Sequence, residues 1–299
     1  MRLSPLLVLV ACAASPGGPS RLDRGSGGEH VRLSVADTGA SEAVQEEALR
    51  MRQAGPGGRP MVTLPGTEAR PFRSRVTGDT YDLYVFLPTG YGTDGTRYPV
   101  VYHPDAFYTF GALADLARNL QDSGLTRKFL VVGISEGVGW DSPESHRVRD
   151  FTTGIPQYLA FLRQELIPAV ESQYRADPRR RAFHGASLGA LFGAKVLLDA
   201  TDTFSAYILS SPAFQASDEW ILKEETKRSR GPRELGARVF LTIGSEETDL
   251  LSSFDQFARQ LRNHGYRGLD LTVLKAEGQV HETAAFVNLP TVLRRLYRP

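Results

Sequence analysis

The chain of 299 residues is 41% hydrophobic and 23% charged, which is the composition of an ordinary globular protein with one sizeable core. Its net charge of +1 gives no reason to expect nucleic acid or an anionic membrane surface as a partner. The single cysteine, Cys12, excludes a disulfide within the chain and leaves no other thiol for catalysis.

Residues 1–14 have the layout of an export signal. A positively charged start precedes a short apolar run over residues 3–10 and several small residues, and this run is too short to span a membrane. Residues 9–12, Leu-Val-Ala-Cys, also resemble the bacterial lipobox, in which the cysteine carries a lipid. We therefore expect a signal peptide or lipobox segment, lipidation of Cys12, and export as a periplasmic or cell-envelope lipoprotein whose lipid anchor is its only membrane contact. A cytoplasmic chain is the alternative.

Residues 15–60 are predicted to be a flexible tether and N-terminal segment. Gly, Ser and Pro are frequent in the first part, and there are too few apolar side chains to bury. Within this segment residues 30–35 favour a short strand, and residues 41–52 favour a short helix capped by Ser41. The pattern then becomes regular, which predicts one globular domain over residues 61–299.

Short apolar runs alternate with helical patterns along this domain. Apolar runs too short to be helices, each followed by a helical pattern, indicate parallel strands buried on both faces. The sequence predicts an α/β fold with a mostly parallel central sheet, helices on both faces and no separate lid domain. The predicted strands are 81–88, 98–103, 129–134, 181–184, 205–210, 238–243 and 269–274, and the predicted helices are 110–121, 155–174, 188–198, 218–227, 250–264 and 283–297.

Residues 185–189, Gly-Ala-Ser-Leu-Gly, join a short apolar run to a helical pattern. This is the G-x-S-x-G nucleophile elbow, in which a strained strand-to-helix turn exposes the serine hydroxyl above the sheet. The two glycines leave room where a Cβ would collide with a neighbouring element. The N–H of Leu188, at the helix start, points to the place where an acyl oxygen would become negative. The pattern predicts that Ser187 is a nucleophile.

A nucleophilic serine needs an imidazole to take its proton, and the imidazole needs a carboxylate to hold its tautomer. In parallel sheets such groups lie at the carboxyl ends of strands. His281 follows the last predicted strand, and Glu246, Glu247 and Asp249 follow the strand before it. The chain order serine, acid, histidine is that of α/β-hydrolases. We predict His281 as the base and leave the three acids open, noting that Asp249 also fits the N-cap of the next helix.

The other five histidines are weaker candidates. We expect His30, His184 and His264 to be structural, whereas His103 and His146 lie near strand ends and could line a pocket. No metal-ligand spacing, phosphate-binding glycine loop or dinucleotide fingerprint is present, so we expect no metal and no cofactor. Residues 133–139 are interpreted as a flexible loop.

Several separated segments resemble the putative esterase family of α/β-hydrolases. They are residues 81–91 (YDLYVFLPTGY), 98–102 (YPVVY), 165–168 (ELIP) with Glu171 and Tyr174, the elbow, residues 210–212 (SSP) and residues 278–281 (GQVH). The resemblance covers residues 62–296, and the family includes esterase D-like and enterochelin esterase-like enzymes, feruloyl esterases and mycolyltransferases. It implies an α/β-hydrolase fold.

The resemblance also implies residue roles. Ser187 matches the family nucleophile, His281 the base and Glu247 the usual acid. The backbone N–H groups of Leu188 and Phe107 match the oxyanion hole. The family usually has Asp-Gly before the second donor, whereas this chain has Asp105 followed by Ala106, which keeps the donor and can change the angle of the loop.

Residues 147–152, Arg-Val-Arg-Asp-Phe-Thr, resemble a family segment that shapes the rim of the pocket. We predict that Arg147 and Arg149, together with Asp105, bind substrate, with an arginine holding an anionic group. A structural salt bridge to Asp150 is the alternative reading of such an arginine.

The family resemblance implies a serine carboxylic ester hydrolase that forms an acyl-enzyme on Ser187. The substrate is expected to be a small-molecule ester, with siderophore esters or sugar-linked acyl esters as candidates. An acyltransferase on the same fold and a non-catalytic surface or binding protein are the alternatives.

Overall fold

The computed structural model describes residues 63–93, 95–137 and 145–299. Their centre is an eight-stranded sheet with the strand order β1-β2-β4-β3-β5-β6-β7-β8. Strand β2 is antiparallel to both of its neighbours, and β3 to β8 are parallel to one another. The strands are β1 Thr67–Arg73, β2 Thr80–Phe86, β3 Tyr98–His103, β4 Leu130–Ser135, β5 Ala176–Ala186, β6 Ala206–Ser210, β7 Arg238–Gly244 and β8 Asp270–Ala276.

Helices follow most of the parallel strands. They are α1 Ala106–Asp122, α2 Arg147–Asp150, α3 Ile155–Phe161, α4 Ile167–Gln173, α5 Leu188–Asp199, α6 Ala216–Arg228, α7 Thr248–Asn263 and α8 His281–Leu296. A π-helical turn, Leu162–Leu166, joins α3 to α4, and a 3₁₀ turn, Thr201–Thr203, follows α5. None of the helices in this part of the chain combines the length and apolar character needed to span a membrane.

The helices cover both faces of the sheet, as the sequence predicts. One buried cluster includes the apolar side chains of α3 to α7, and a second cluster includes those of α1 and α8. Strands β3, β4 and β6 are buried along their whole length, so each sequence is almost continuously apolar. The prediction of an α/β-hydrolase fold with a mostly parallel sheet is confirmed.

Three local predictions are wrong. Strand β1 was not predicted, because its sequence TEARPFR is polar and half exposed at the edge of the sheet. The helix predicted over residues 155–174 is interrupted by the π-helical turn, which lies just before Pro168. Proline has no backbone N–H to donate, and its ring distorts the preceding helical turn. Residues 133–135 belong to β4 and are not a loop.

Four helices begin earlier than predicted, and three of these early starts carry a candidate site residue. Helix α1 begins at Ala106, α7 at Thr248 and α8 at His281. The candidate residues therefore lie at helix N-termini, where backbone N–H groups have no intrahelical partner. Predictions for residues 1–14, 15–60, 30–35 and 41–52, together with Cys12 and His30, lie outside the described residues.

Candidate active site

Ser187 stands alone between β5 and α5 in a left-handed backbone conformation, with φ 55° and ψ −119°. Such a conformation is strained for a residue with a side chain, so it persists only where the surroundings hold it. The Ser187 N–H donates to the carbonyl of Ser210 at 3.0 Å, and the Ser187 carbonyl accepts the N–H of Ala213 at 3.1 Å. A Cβ on Gly185 would lie 2.4 Å from the Gly189 carbonyl oxygen, so the first glycine of the elbow is sterically required.

Glu247 and His281 are joined by a hydrogen bond. The Nδ1–H of His281 donates to Oε2 of Glu247 at 2.7 Å, and the other carboxylate oxygen accepts the Gly244 N–H and the Ser211 hydroxyl, each at 2.7 Å. Burial by itself raises the pKa of Glu247, but these hydrogen bonds outweigh it and lower the pKa below its ordinary value. Glu247 is therefore an ionised carboxylate, and it favours the tautomer of His281 that carries its proton on Nδ1.

The two alternative acids are not placed beside the imidazole. Glu246 is exposed and accepts a hydrogen bond from the Ser245 hydroxyl at 3.0 Å. Asp249 is exposed in the first turn of α7, and the residue at the N-cap position is Glu247, which makes no side-chain cap. The expectation that Asp249 caps this helix is wrong, because the helix begins two residues earlier than predicted.

The nucleophile and the base lie at the same edge of the sheet. Ser187 follows β5 and His281 opens α8 after β8, with β6 and β7 between these strands. Ser210 and Ser211 bridge the interval, because the first accepts the Ser187 N–H and the second donates to Glu247. Within the described residues neither the Ser187 hydroxyl nor His281 Nε2 makes a hydrogen bond.

The two predicted oxyanion donors lie in the first turns of two helices. Leu188 is the first residue of α5 and Phe107 is the second residue of α1, and neither helix has a side-chain N-cap hydrogen bond. The starts of the two helices lie close together. There is little room between them, because a Cβ added to Gly189 would lie 3.3 Å from Oδ2 of Asp105. Both N–H groups therefore lie near the elbow at the positive ends of helix dipoles.

The methyl group of Ala106 is accommodated by the neighbouring strand. Ala106 is buried, and a Cβ added to Gly133 of β4 would lie only 2.7 Å from the Cβ of Ala106. The positive φ in this loop falls on Asp105, at 59°. The alanine that replaces the usual family glycine therefore fits because β4 carries a glycine opposite it.

Asp105 and Arg147 form a buried ion pair. Arg147 donates through Nε to Oδ1 at 2.5 Å and through a terminal nitrogen to Oδ2 at 3.1 Å. Burial raises the pKa of Asp105, and the adjacent guanidinium opposes that rise. The predicted substrate-binding arginine is thus already engaged by a carboxylate of its own chain.

Arg149 is oriented differently. It donates to Asp150 at 2.9 and 2.7 Å and to Asp79 at 2.6 Å, and its side chain is 45% exposed. It lines a separate surface pocket with Val76 and other residues. The alternative prediction of a salt bridge to Asp150 is confirmed for Arg149.

His103 and His184 stack in parallel, with ring centroids 4.7 Å apart and an interplanar angle of 9°. Both are buried. Burial lowers the pKa of His103 to about 4 and that of His184 well below its ordinary range. They are neutral structural histidines. The prediction that His103 could line a pocket is therefore wrong, because its side chain is buried. Nε2 of His146 lies 3.4 Å from Oδ1 of Asp79.

Two polar side chains next to the site were not singled out by sequence reasoning. Glu136 directly follows β4, and its buried carboxyl accepts the Asp105 N–H at 2.9 Å. Ser211 was noted only as part of a family segment. An acidic residue directly after a buried, mostly apolar strand is a signal that could have drawn attention to Glu136. Among the residues described, no group of three or more His, Cys, Asp or Glu side chains is arranged to hold a metal ion.

Comparison with known proteins places this geometry in a family. Residues 74–283 match the family described as putative esterase, and the chain belongs to this family. It is similar to the ferri-bacillibactin esterase BesA of Bacillus subtilis (strain 168), with 28% identity over 271 residues that cover 79% of this chain and 90% of the relative.

Solved structures share the fold. The BES protein from Bacillus cereus superimposes with a TM-score of 0.72 at 21% identity, covering 81% of this chain and 99% of the other. The siderophore hydrolase EstB from Aspergillus nidulans does so with a TM-score of 0.69 at 21% identity, covering 80% of this chain and 97% of the other. These likenesses establish the α/β-hydrolase fold.

Proposed function

We propose that the chain is a serine carboxylic ester hydrolase in which Ser187, His281 and Glu247 form the catalytic triad. The hydrogen bond between Glu247 and His281 carries the proposal, because it leaves Nε2 of the imidazole as the proton acceptor at the edge of the sheet where Ser187 lies. The strained conformation of Ser187 supports its role as nucleophile. Membership of the putative esterase family supports the reaction class.

The reaction proceeds through an acyl-enzyme. His281 Nε2 takes the hydroxyl proton as Ser187 Oγ attacks the ester carbonyl carbon, and the carbonyl oxygen becomes an oxyanion that accepts hydrogen bonds from the N–H groups of Leu188 and Phe107. The C–O bond to the alcohol then breaks, and the imidazolium donates its proton to the leaving oxygen. Water, deprotonated by His281, attacks the acyl carbon. The bond from that carbon to Ser187 Oγ then breaks, the imidazolium returns its proton to Oγ, and the carboxylic acid is released.

The substrate class is proposed from the relatives. BesA is named as a ferri-bacillibactin esterase and EstB as a siderophore hydrolase, and both cover most of this chain. We propose that the physiological substrate is a siderophore ester. Hydrolysis of a siderophore trilactone, measured beside aryl acetates and feruloyl sugars, tests the substrate. A protein that cleaves aryl acetates readily and leaves the trilactone intact would contradict it, and transfer of the acyl group to an added alcohol would instead indicate an acyltransferase.

Substituting Glu247 and its neighbour Glu246 tests the assignment of the acid. Glu247→Gln removes the carboxylate that stabilises the imidazolium, so kcat should fall by about 10⁴-fold. Glu246→Gln changes an exposed carboxylate one residue away and should leave kcat within about twofold. The reverse pattern, with Glu246→Gln inactive and Glu247→Gln active, would contradict the assignment of the acid.

Export and lipidation of Cys12 are proposed from the sequence of residues 1–14. Mass spectrometry of the protein from bacterial membranes should find a diacylglyceryl group on Cys12, and Cys12→Ser should release the protein from the membrane fraction. Unmodified Cys12 in a soluble full-length chain would contradict the proposal.

A further inference from the structure

Glu136 is a buried carboxyl group that the proposed mechanism does not use. It follows β4 directly and is 3% exposed. Because β4 is parallel to β3, the residues that follow these strands lie at the same edge of the sheet. Glu136 therefore lies beside Asp105, where α1 begins, and it lines one small pocket together with Phe107 and Arg147.

Both oxygens of the carboxyl group are engaged. Oε2 accepts the backbone N–H of Asp105 at 2.9 Å, and Oε1 lies 2.7 Å from the hydroxyl oxygen of Tyr158 on α3. The Glu136 carbonyl oxygen accepts the His146 N–H at 2.6 Å. Hydrogen bonds thus hold both the backbone and the side chain of Glu136, and one carboxyl oxygen faces the backbone N–H of Asp105.

Asp105 is the residue whose conformation sets the start of α1. Its φ of 59° and ψ of 27° are left-handed, which residues other than glycine rarely adopt without support. The contact from Glu136 holds its N–H, and the ion pair with Arg147 holds its side chain. Two residues further on is the N–H of Phe107, the proposed oxyanion donor.

We propose that Glu136 is a positioning residue for the oxyanion hole, because its carboxyl group holds the Asp105 N–H and so directs the first turn of α1. The catalytic part of this inference rests on the proposed function. An oxyanion donor must lie within hydrogen-bond distance of the developing negative charge, so a small rotation of this turn weakens stabilisation of the transition state. The ground-state complex depends less on the same contact.

Burial raises the pKa of Glu136 well above the ordinary value, and the nearby charge of Asp105 raises it further. The Tyr158 hydroxyl donates to Oε1, and Oε2 accepts the backbone N–H of Asp105. The charged or titratable groups near it are Asp105, Arg147, Asp150 and Tyr158. A glutamine can reproduce both contacts, whereas a methionine of similar size can reproduce neither.

The test compares Glu136→Gln and Glu136→Met with the matched pair Glu225→Gln and Glu225→Met. Glu225 is also fully buried and also accepts a tyrosine hydroxyl, that of Tyr266 at 2.8 Å, but it lies on α6 and contacts none of the proposed catalytic groups. For each variant kcat and KM on a soluble aryl ester are measured, together with the melting temperature and the amide exchange of residues 105–110.

We expect Glu136→Met to lower kcat by about 10- to 100-fold, with KM changed less than about threefold and with faster amide exchange at the start of α1. Glu136→Gln should stay within about threefold of the wild type. Glu225→Met should lower the melting temperature comparably and leave kcat within about twofold. Equal kcat for the two methionine variants, or a Glu136→Gln variant as impaired as Glu136→Met, would overturn the inference.

If Glu136→Met does not fold, Tyr158→Phe decides, because it removes the hydroxyl that donates to Oε1 and leaves the Glu136 carboxyl less firmly held. We expect lower kcat and faster amide exchange at the start of α1; wild-type kcat and exchange in Tyr158→Phe would overturn the inference. Wild-type protein that hydrolyses no ester would contradict the proposed function itself, which distinguishes that failure from an active wild type whose Glu136 variants match their controls.

Discussion

The hydroxyl of Ser211 donates a hydrogen bond to Oε1 of Glu247 at 2.7 Å, and the other oxygen of the same carboxylate accepts a hydrogen bond from His281. Ser211 follows β6, and the residue before it accepts the N–H of Ser187. The strand between the nucleophile and the acid therefore connects both ends of the proposed triad. Side chains that orient a catalytic carboxylate in this way commonly affect turnover without touching substrate.

Ser211→Ala should lower kcat by about three- to tenfold with little change in KM. The variant removes one of three hydrogen bonds that lower the pKa of Glu247, so the carboxylate is held less firmly against the imidazole. Steady-state kinetics of the variant measure the effect. Ser253→Ala is the control, because this serine is also buried but donates only to a carbonyl of α7. Equal kinetics for the two variants would contradict a role for Ser211.

Gly244→Ala should lower both stability and kcat. A Cβ at this position would lie 2.1 Å from the Gln279 carbonyl oxygen, so the loop that carries His281 must move. We expect a loss of about 2–4 kcal/mol in the free energy of unfolding, measured by urea denaturation. Gly236→Ala is the matched control, because an added Cβ there meets no atom within 4 Å. Equal stabilities would contradict the close approach of these two loops.

The buried histidines should make the protein acid-labile. Burial lowers the pKa of His103 to about 4, whereas in the unfolded chain its pKa is near 6.5. The unfolded state therefore binds a proton first, and stability falls as pH decreases from 6.5 towards 4, by about 3 kcal/mol for this residue. Urea denaturation at several pH values should show a shallower dependence for His103→Asn than for the wild type. Parallel curves would contradict this contribution.

Much of the fold was predictable because a buried parallel strand leaves a plain signal. Strands β3, β4 and β6 are almost continuously apolar, and the alternation with helices follows from the sequence. Strand β1 gave no such signal, because one of its faces meets solvent and its pairing with β2 depends on backbone groups. The starts of α7 and α8 were misplaced because their first turns carry polar residues that are also typical of loops.

The site was predictable only where chemistry constrains residue types. The serine in its elbow and the order of acid and histidine are local signals. The pairing of Asp105 with Arg147 and the contact of Asp105 with Glu136 join residues far apart in the chain, and only the sheet order brings them together. The choice among three neighbouring acids depended on where α7 begins, which the sequence placed two residues too late.

Covalent labelling of the nucleophile tests the central proposal most directly. A fluorophosphonate probe reacts covalently with an activated serine, and peptide mass spectrometry locates the adduct. The account predicts stoichiometric labelling on Ser187, no labelling of Ser187→Ala, and labelling of Glu247→Gln slowed in proportion to its loss of kcat. Wild-type protein that hydrolyses esters while the probe attaches to another residue, or an unlabelled wild type, would contradict Ser187 as the nucleophile.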